Sequence, residues 1–437
     1  MVAHVAPHRG HHGATRPEIG SPVVKHAQPS DKGVRHMYRT IQPIEINAAA
    51  RVQAEAFERT VADYAVRYLQ GGRFDWRHVR VWEEHGEFVA VLTVFERALS
   101  LCGVDIPTAL IASVGVRPIH RRRGYASALM RGMLAEMHAK GTPLSLLAPF
   151  SQAFYRALGY ELANRQLFLR FSPADIPHYA ERDHVRAGTQ DDLPALQACY
   201  ATARRQKAAH GWLSRTPAEW ERAYAPHEGD FLVLFQVDDA VEGYLIYTLE
   251  KPRRLIIQEW VWNSERAWRG LVGFLAAQRG AIFTIEYNAP LDCPLPHLWP
   301  EAGTMQNDHV EFIYRRMADL LSGFMVRLVH VPLALAHRPY RDHTTVECIL
   351  EVDDPILPEN RGPWRLHIAE GRATVEKSNA APTMRTDIST LTGWYSGALS
   401  ARHARLLGRW HASAELCARL DEAARVPPMY MHKADWF

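Results

Sequence analysis

Cysteine is scarce in this chain: Cys102, Cys199, Cys293, Cys348 and Cys417 are odd in number, far apart and form no C-x-x-C pair. That pattern excludes a disulfide framework and a zinc knuckle, and leaves each thiol to act as a small buried hydrophobe. No apolar run approaches the ~20 residues that span a bilayer, and the first 36 residues lack the apolar core of a secretory signal. The expected location is therefore the cytoplasm. Net charge is only +3, and no basic stretch interleaves with aromatics, which argues against nucleic acid as a partner. Neither GxxxxGK[ST] nor GxGxxG occurs, so nucleoside triphosphates and dinucleotides are disfavoured.

What is present is enough to build packed cores: 437 residues, 47% hydrophobic, roughly two to four domains by length. Residues 1–36 carry six histidines among Pro, Gly and Arg without periodic apolar positions, and read as a mobile tail. Those histidines lack metal-ligand spacing, so no metal is expected. From Met37 an α/β pattern begins. It has a short strand near Tyr38–Ile41, helical segments through 48–69, and strands at Val79–Trp82 and Phe88–Val94.

The most informative stretch is Val114-Gly115-Val116-Arg117-Pro-Ile-His-Arg121-Arg122-Arg123-Gly124-Tyr125-Ala126. A strand, 110–116, runs into a turn that opens a helix with apolar Leu129, Met130, Met133, Leu134 and Met137 at spacings of three and four. Free amides and the positive end of the helix dipole favour an anion there. Gly124 permits close backbone approach, and three arginines add charge. Arg121-x-x-Gly124-x-Ala126 resembles the pattern with which the GNAT superfamily of acyltransferases grips the pyrophosphate of coenzyme A. Next come a buried-strand run, 144–148, and Ser151-Gln-Ala-Phe154-Tyr155-Arg-Ala-Leu-Gly-Tyr160. In the GNAT resemblance this helix carries a tyrosine at the cofactor's sulfur, a role that suits Tyr155, whereas Tyr160 reads as packing.

A second α/β unit repeats the order of elements: strands 231–237, 241–249 and 255–262, a helix near 267–278 and a strand at 281–287. Its turn reads Asn263-Ser-Glu-Arg-Ala-Trp268-Arg-Gly270, which does not fit R-x-x-G-x-G/A, and Trp268 would crowd a phosphate, so this half is expected to bind no cofactor. From 342 the chain alternates like a small sheet (345–352, 364–368, 373–375, 386–388) with helices near 389–396, 400–407 and 412–424. The end, Met429-Tyr-Met-His-Lys-Ala-Asp-Trp-Phe437, is too apolar to be idle and should be tied down by packing.

Together with Val326-Arg-Leu-Val-His-Val-Pro332, Val352-Asp-Asp-x-x-Leu-Pro-x-Asn360 and Leu391-x-x-x-Tyr-Ser-Gly397, these motifs resemble the enhanced intracellular survival (Eis) family of N-acetyltransferases over about 37–437. The resemblance implies an α/β (α+β) protein with an active GNAT domain (37–174), a degenerate GNAT domain (175–341) and a sterol-carrier-protein-like domain (342–437). It also implies acetyl-CoA as co-substrate, a homo-oligomer, commonly a hexamer, and amine acceptors that for some members are aminoglycosides. Residues expected to contact the cofactor are Val114, Gly115, Val116, Arg121, Arg122, Arg123, Gly124, Tyr125, Ala126, Ser127, Phe150 and Ser151, with the Val116 N–H as oxyanion donor.

By the same resemblance Tyr155 is the general acid toward the departing thiolate, and the carboxylate of the terminal Phe437 is the base. The residues bear on this too. Ala109–Val116 contains no acid, so a base must come from elsewhere, and burial would lift a terminal carboxyl from its ordinary ~3.5 toward useful values. Relatives that accept aminoglycosides carry an acid just before the terminal phenylalanine. Here that position is Trp436, with Asp435 one residue further back, which favours a less cationic or more hydrophobic small-molecule amine. Asp63 and Glu58 are candidate replacements for the missing charge. Two alternatives stay open: an acyltransferase for longer acyl chains or protein lysine, and a non-catalytic hydrophobe carrier with a vestigial GNAT core.

Overall fold

The computed structural model describes residues 37–57, 59–69, 75–206, 209–224, 230–300 and 316–437. The 1–36 tail and Glu58 lie outside the described residues. Three mixed sheets organise the rest. The first has the order Met37–Thr40, Val79–Glu84, Glu87–Leu101, Val104–Val116, Leu144–Leu147, Met325–Leu328, Glu161–Leu162. It is antiparallel except where Thr108–Ile111 runs parallel to Leu144–Leu147. The connection between that parallel pair is the helix Tyr125–Ala139, as a parallel pair requires. The helix buries Leu129, Met130, Met133, Leu134 and Met137 on the sheet, the five positions the spacing singles out.

The second sheet has the order Asp319–Ser322, Arg165–Phe171, Thr284–Ala289, Arg254–Trp262, Ala240–Glu250, Asp230–Val237, Val185–Ala187. It repeats the first design, with one parallel pair, Arg254–Ile257 on Thr284–Tyr287, crossed by the helix Glu265–Ala276. The third sheet is formed by Arg372–Lys377, Trp364–Ala369, Val346–Asp353, Met384–Asp387 and Trp410–His411, and carries the helices Ile388–Tyr395, Ala401–Leu406 and Ala414–Ala423.

The sheets do not respect cuts at 174 and 341. Arg165–Phe171, before the first cut, pairs antiparallel with Thr284–Ala289 in the second sheet. Met325–Leu328, before the second cut, pairs antiparallel with Leu144–Leu147 in the first. The two α/β units exchange strands, because each parallel pair leaves an apolar edge that an antiparallel neighbour must cover. Leu144–Leu147 is buried at all four positions under that cover.

Candidate active site

Below Ile111 the strand Val104–Val116 is paired with Leu144–Leu147; beyond it the two part, and residues 112–116 keep a neighbour on one side only. At the same place the register against Glu87–Leu101 shifts, and Ser113 takes a left-handed φ of 53°. This β-bulge puts Val114 and Val116 on the face of Ile111 and bends the strand away from its parallel partner. The Arg117 N–H donates to Val89 O (3.0 Å). By alternation the Val116 N–H points the other way, into the opening. Gly115 serves packing here: a Cβ would stand 2.9 Å from Ala56 Cβ and 3.1 Å from Phe57 Cε2, on the helix Ile46–Phe57.

The strand leads into a short 3-10 turn at Pro118–His120 and then the arginines. Gly124 caps the helix Tyr125–Ala139 with φ 86°, and no side chain caps the helix end. The first-turn amides of Tyr125, Ala126 and Ser127 thus have no side-chain cap, and an added Cβ on Gly124 would meet nothing within 4 Å. Arg121, Arg122 and Arg123 are exposed and form no ion pair among the described residues. The Tyr125 hydroxyl donates to Glu84 and also interacts with Arg123. An open, positively charged, uncapped helix end is what a pyrophosphate needs.

The predicted helix at 151–160 is only Gln152–Arg156, with Ser151 as its cap, accepting from Phe154 N at 3.3 Å. Phe150 is 69% exposed, whereas Tyr155 is 2% exposed, edge-on to Phe150 (5.3 Å), Phe154 (5.0 Å) and Tyr160 (5.8 Å). Burial, and secondarily the Tyr160 phenol, push the Tyr155 phenol well above its ordinary value, so it is held protonated. Tyr160 is fully buried and shares a 2.7 Å hydrogen bond with Ser145, which makes it a core residue.

The last nine residues thread between the two α/β units. Asn164 Nδ2 donates to Met429 O (3.0 Å), Gln166 Nε2 to Met431 O (2.9 Å), and Tyr430 N to His210 O (2.8 Å). Asp435 is held by Arg215 Nε at 2.6 Å, and the same guanidinium forks onto Glu259 at 3.1 and 2.6 Å. Phe437 stacks on Phe324 (5.7 Å), the residue before the strand that covers Leu147. It lines a pocket with Phe95, Leu110, Arg97, Arg215, Glu219 and Asp435. Leu110 and Ile111 point to opposite faces of one strand. Phe437 packs with the core on Leu110's face and Tyr155 with the core on Ile111's, so the chain end and the phenol flank the opening from two sides.

Residues 37–163 match the family profile described as an acetyltransferase (GNAT) domain, 211–328 match a second profile of that description, and 331–432 match a sterol carrier protein domain. The N-acetyltransferase Eis of Mycobacterium tuberculosis is 28% identical over 366 residues, 77% of this chain and 83% of that protein. An N-acetyltransferase of Streptomyces coelicolor is 28% identical over 358 residues, 76% of this chain and 83% of its own length. The chain is an N-acetyltransferase of GNAT type, similar over most of its length to the Eis proteins. Among solved structures, a GCN5-related N-acetyltransferase from Anabaena variabilis shares the fold with a TM-score of 0.81 at 24% identity, covering 92% of this chain and all of that one. Eis1 from Mycobacterium abscessus does so with a TM-score of 0.73 at 22% identity, again over 92% and 100%.

As a GNAT N-acetyltransferase the enzyme draws on acetyl-CoA, and its uncapped turn fits that donor, whereas the corresponding turn of the second unit does not. Between strand and helix the first unit has eight residues, Arg117 to Gly124, but the second has two, Asn263 and Ser264. Ser264 caps the second helix by accepting from Ala267 N (3.2 Å), while Arg266 is paired with Glu242 and Arg269 with Glu181. Trp268 lies inside the helix, parallel to Trp260 at 6.5 Å. Of the expected replacement acids, Asp63 is exposed and spends its carboxylate on the Thr60 N–H (3.1 Å) at a helix start. Sequence reasoning missed Arg215 and Glu259. They lie 220 and 176 positions before Asp435, and no local pattern marks them.

Proposed function

We propose that this enzyme moves an acetyl group from acetyl-CoA directly to a primary amine of a small molecule, with Tyr155 as general acid and the Phe437 carboxylate as general base. Bound there, acetyl-CoA supplies an electrophilic thioester carbonyl. The chain's own part is to bind, orient and move protons. Arg121 to Arg123 with the Tyr125–Ser127 amides hold the pyrophosphate, and the Val114–Val116 edge aligns the pantetheine arm. The Val116 N–H donates to the carbonyl oxygen as it gains charge. The carboxylate of Phe437 takes a proton from the attacking amine on one side. Tyr155 gives one to the sulfur on the other. The observation that carries the reading is the parting of Val104–Val116 from Leu144–Leu147, flanked by the buried phenol and the tethered chain end.

The pocket beside Phe437 bears on the acceptor. Its carboxylates are matched, Glu219 with Arg97 (2.9 Å) and Asp435 with Arg215 (2.6 Å), and aromatic Phe95 and Phe437 line it too. Such a wall favours an amine with apolar bulk and few charges over a polycationic aminoglycoside. The test is thiol release against an amine panel with acetyl- and propionyl-CoA, using untagged enzyme, a form lacking only Phe437, and Tyr155→Phe. Rates should fall by about 10²-fold or more in both variants while acetyl-CoA binding persists. Wild-type rates in either variant would remove that residue from the mechanism.

A further inference from the structure

The degenerate GNAT unit keeps the opening that the first unit devotes to its donor, and has lost only the phosphate turn. Its parallel pair ends at Ile257 and Tyr287, and residues 258–262 then run on without that neighbour, as residues 112–116 do beyond Ile111. A cavity of about 190 Å³ lies in the gap. Trp260 and Trp262 wall it from one strand and Tyr287 from the other, with Trp212 from the preceding segment. Tyr430 and His432 of the C-terminal segment close it. Trp260 and Tyr287 stand 5.7 Å apart, and His432 lies edge-on to Trp212 at 4.3 Å.

Two side chains of this wall carry unpaired nitrogens buried behind it. Trp260 Nε1 and both ring nitrogens of His432 find no hydrogen-bond partner among the described residues, although each side chain is only 1% exposed. Native structures seldom leave such groups unpaired unless a water, ion or ligand meets them. Burial lowers the His432 pKa, so the ring is neutral and offers one donor and one acceptor. Trp260 offers a donor only. The one carboxylate on the lining, Asp292, is exposed at the mouth. For scale, a protein cavity of ~150 Å³ accommodates benzene.

We infer that this cleft is a second ligand site, separate from the acetyl-CoA site, for an uncharged planar aromatic molecule of one or two rings. The aromatic wall takes the ring; the unpaired nitrogens of Trp260 and His432 lie beneath that wall, shut off from the cavity. A nucleotide is excluded, because Ser264 satisfies the helix end and Arg266 and Arg269 are already paired.

The test titrates full-length enzyme with nicotinamide and indole-3-carboxamide, with and without saturating coenzyme A, against tetramethylammonium as a cationic probe of the same aromatic wall. The amides should bind, and coenzyme A should leave their affinity unchanged. Trp262→Ala, or Ala209→Leu, which fills the cavity from its lining, should weaken them about tenfold while acetyl-CoA affinity stays at the wild-type value. If either variant melts early, a wild-type crystal soaked with indole-3-carboxamide decides, by density between Trp260 and His432. No amide binding, displacement by coenzyme A, preference for tetramethylammonium, unaltered affinity in folded variants, or density elsewhere would each overturn the assignment.

Discussion

Two glycines nine positions apart in the proposed donor site do different work, and alanine separates them. Gly124 holds φ 86° facing open space, so a methyl there meets no atom, and the cost is backbone alone, roughly 1–2 kcal/mol for a left-handed residue. Gly115 has ordinary φ, but its methyl would press on Ala56 and Phe57. Gly124→Ala is therefore expected to weaken acetyl-CoA binding with a modest fall in melting temperature, because the anion-facing turn must distort. Gly115→Ala should lower the melting temperature more, by displacing the helix Ile46–Phe57. Calorimetric titration and thermal melts on both variants check this; equal loss of donor affinity at equal stability would refute the division. The turn was legible from sequence because its chemistry is local: arginines, a left-handed glycine and a helix start within a few residues. The bulge at Ser113 was not, because nothing in Ile-Ala-Ser-Val-Gly-Val distinguishes a bulged strand from a regular one.

Among the elements, the C-terminal segment depends on a buried charge arrangement of two carboxylates, Glu259 and Asp435, around Arg215, all almost wholly buried. Burial acts to raise the Glu259 carboxyl, but the charge of Arg215 overrides it and holds it below the ordinary value. Removing the guanidinium leaves two uncompensated buried carboxylates, at a cost of about 3–5 kcal/mol. Arg215→Met should thus unfold at lower denaturant concentration at neutral pH. With the guanidinium gone, burial would hold the Glu259 carboxyl above its unfolded pKa, so the deficit is full above that folded value and shrinks as the pH falls through it. Denaturant melts near pH 7 and near pH 5 measure this; a gap that widens on acidification would refute the assignment. The regular elements on either side were largely legible, from periodicity and turn residues. The triad was not, because it joins residues from three distant elements and each alone reads as a surface charge.

At the scale of the whole molecule, the exchange of strands makes the two α/β units one folding problem. A fragment of residues 37–163 matches an acetyltransferase profile yet lacks Met325–Leu328, so the apolar edge of Leu144–Leu147 would face water. It should be insoluble or melt without cooperativity, and a soluble fragment with a sharp thermal transition would show that the exchanged strand is dispensable. Periodicity gives a strand's existence and buried face but not its sheet, which is why cuts at 174 and 341 separated strands from the sheets they complete.

His210 ties the three parts at one point, and its ionisation is the molecule's acid liability. Its carbonyl accepts from Tyr430 N, its Nε2 lies 3.0 Å from Ser396 O in the third unit, and its Nδ1 faces Cys102 Sγ of the first at 3.7 Å. Burial, with Arg338 nearby, pushes its pKa down to about 4, against the weaker upward pull of the Ser396 carbonyl. A folded value below the unfolded ~6.5 means that both states are neutral above about 6.5 and stability is intact there. As pH falls from there toward 4 the unfolded chain takes the proton first. Stability is then lost at up to ~1.4 kcal/mol per unit, about 3 kcal/mol in all. His432, also buried and lowered, adds a loss of the same sign, so the contribution of His210 is read as a difference. His210→Gln retains a donor for Ser396 but cannot take up a proton, and its stability should fall less steeply across this window than that of the wild type, by about one proton's slope in denaturant melts. Parallel slopes would mean that the junction opens before His210 is charged, and that the three units separate in acid for another reason.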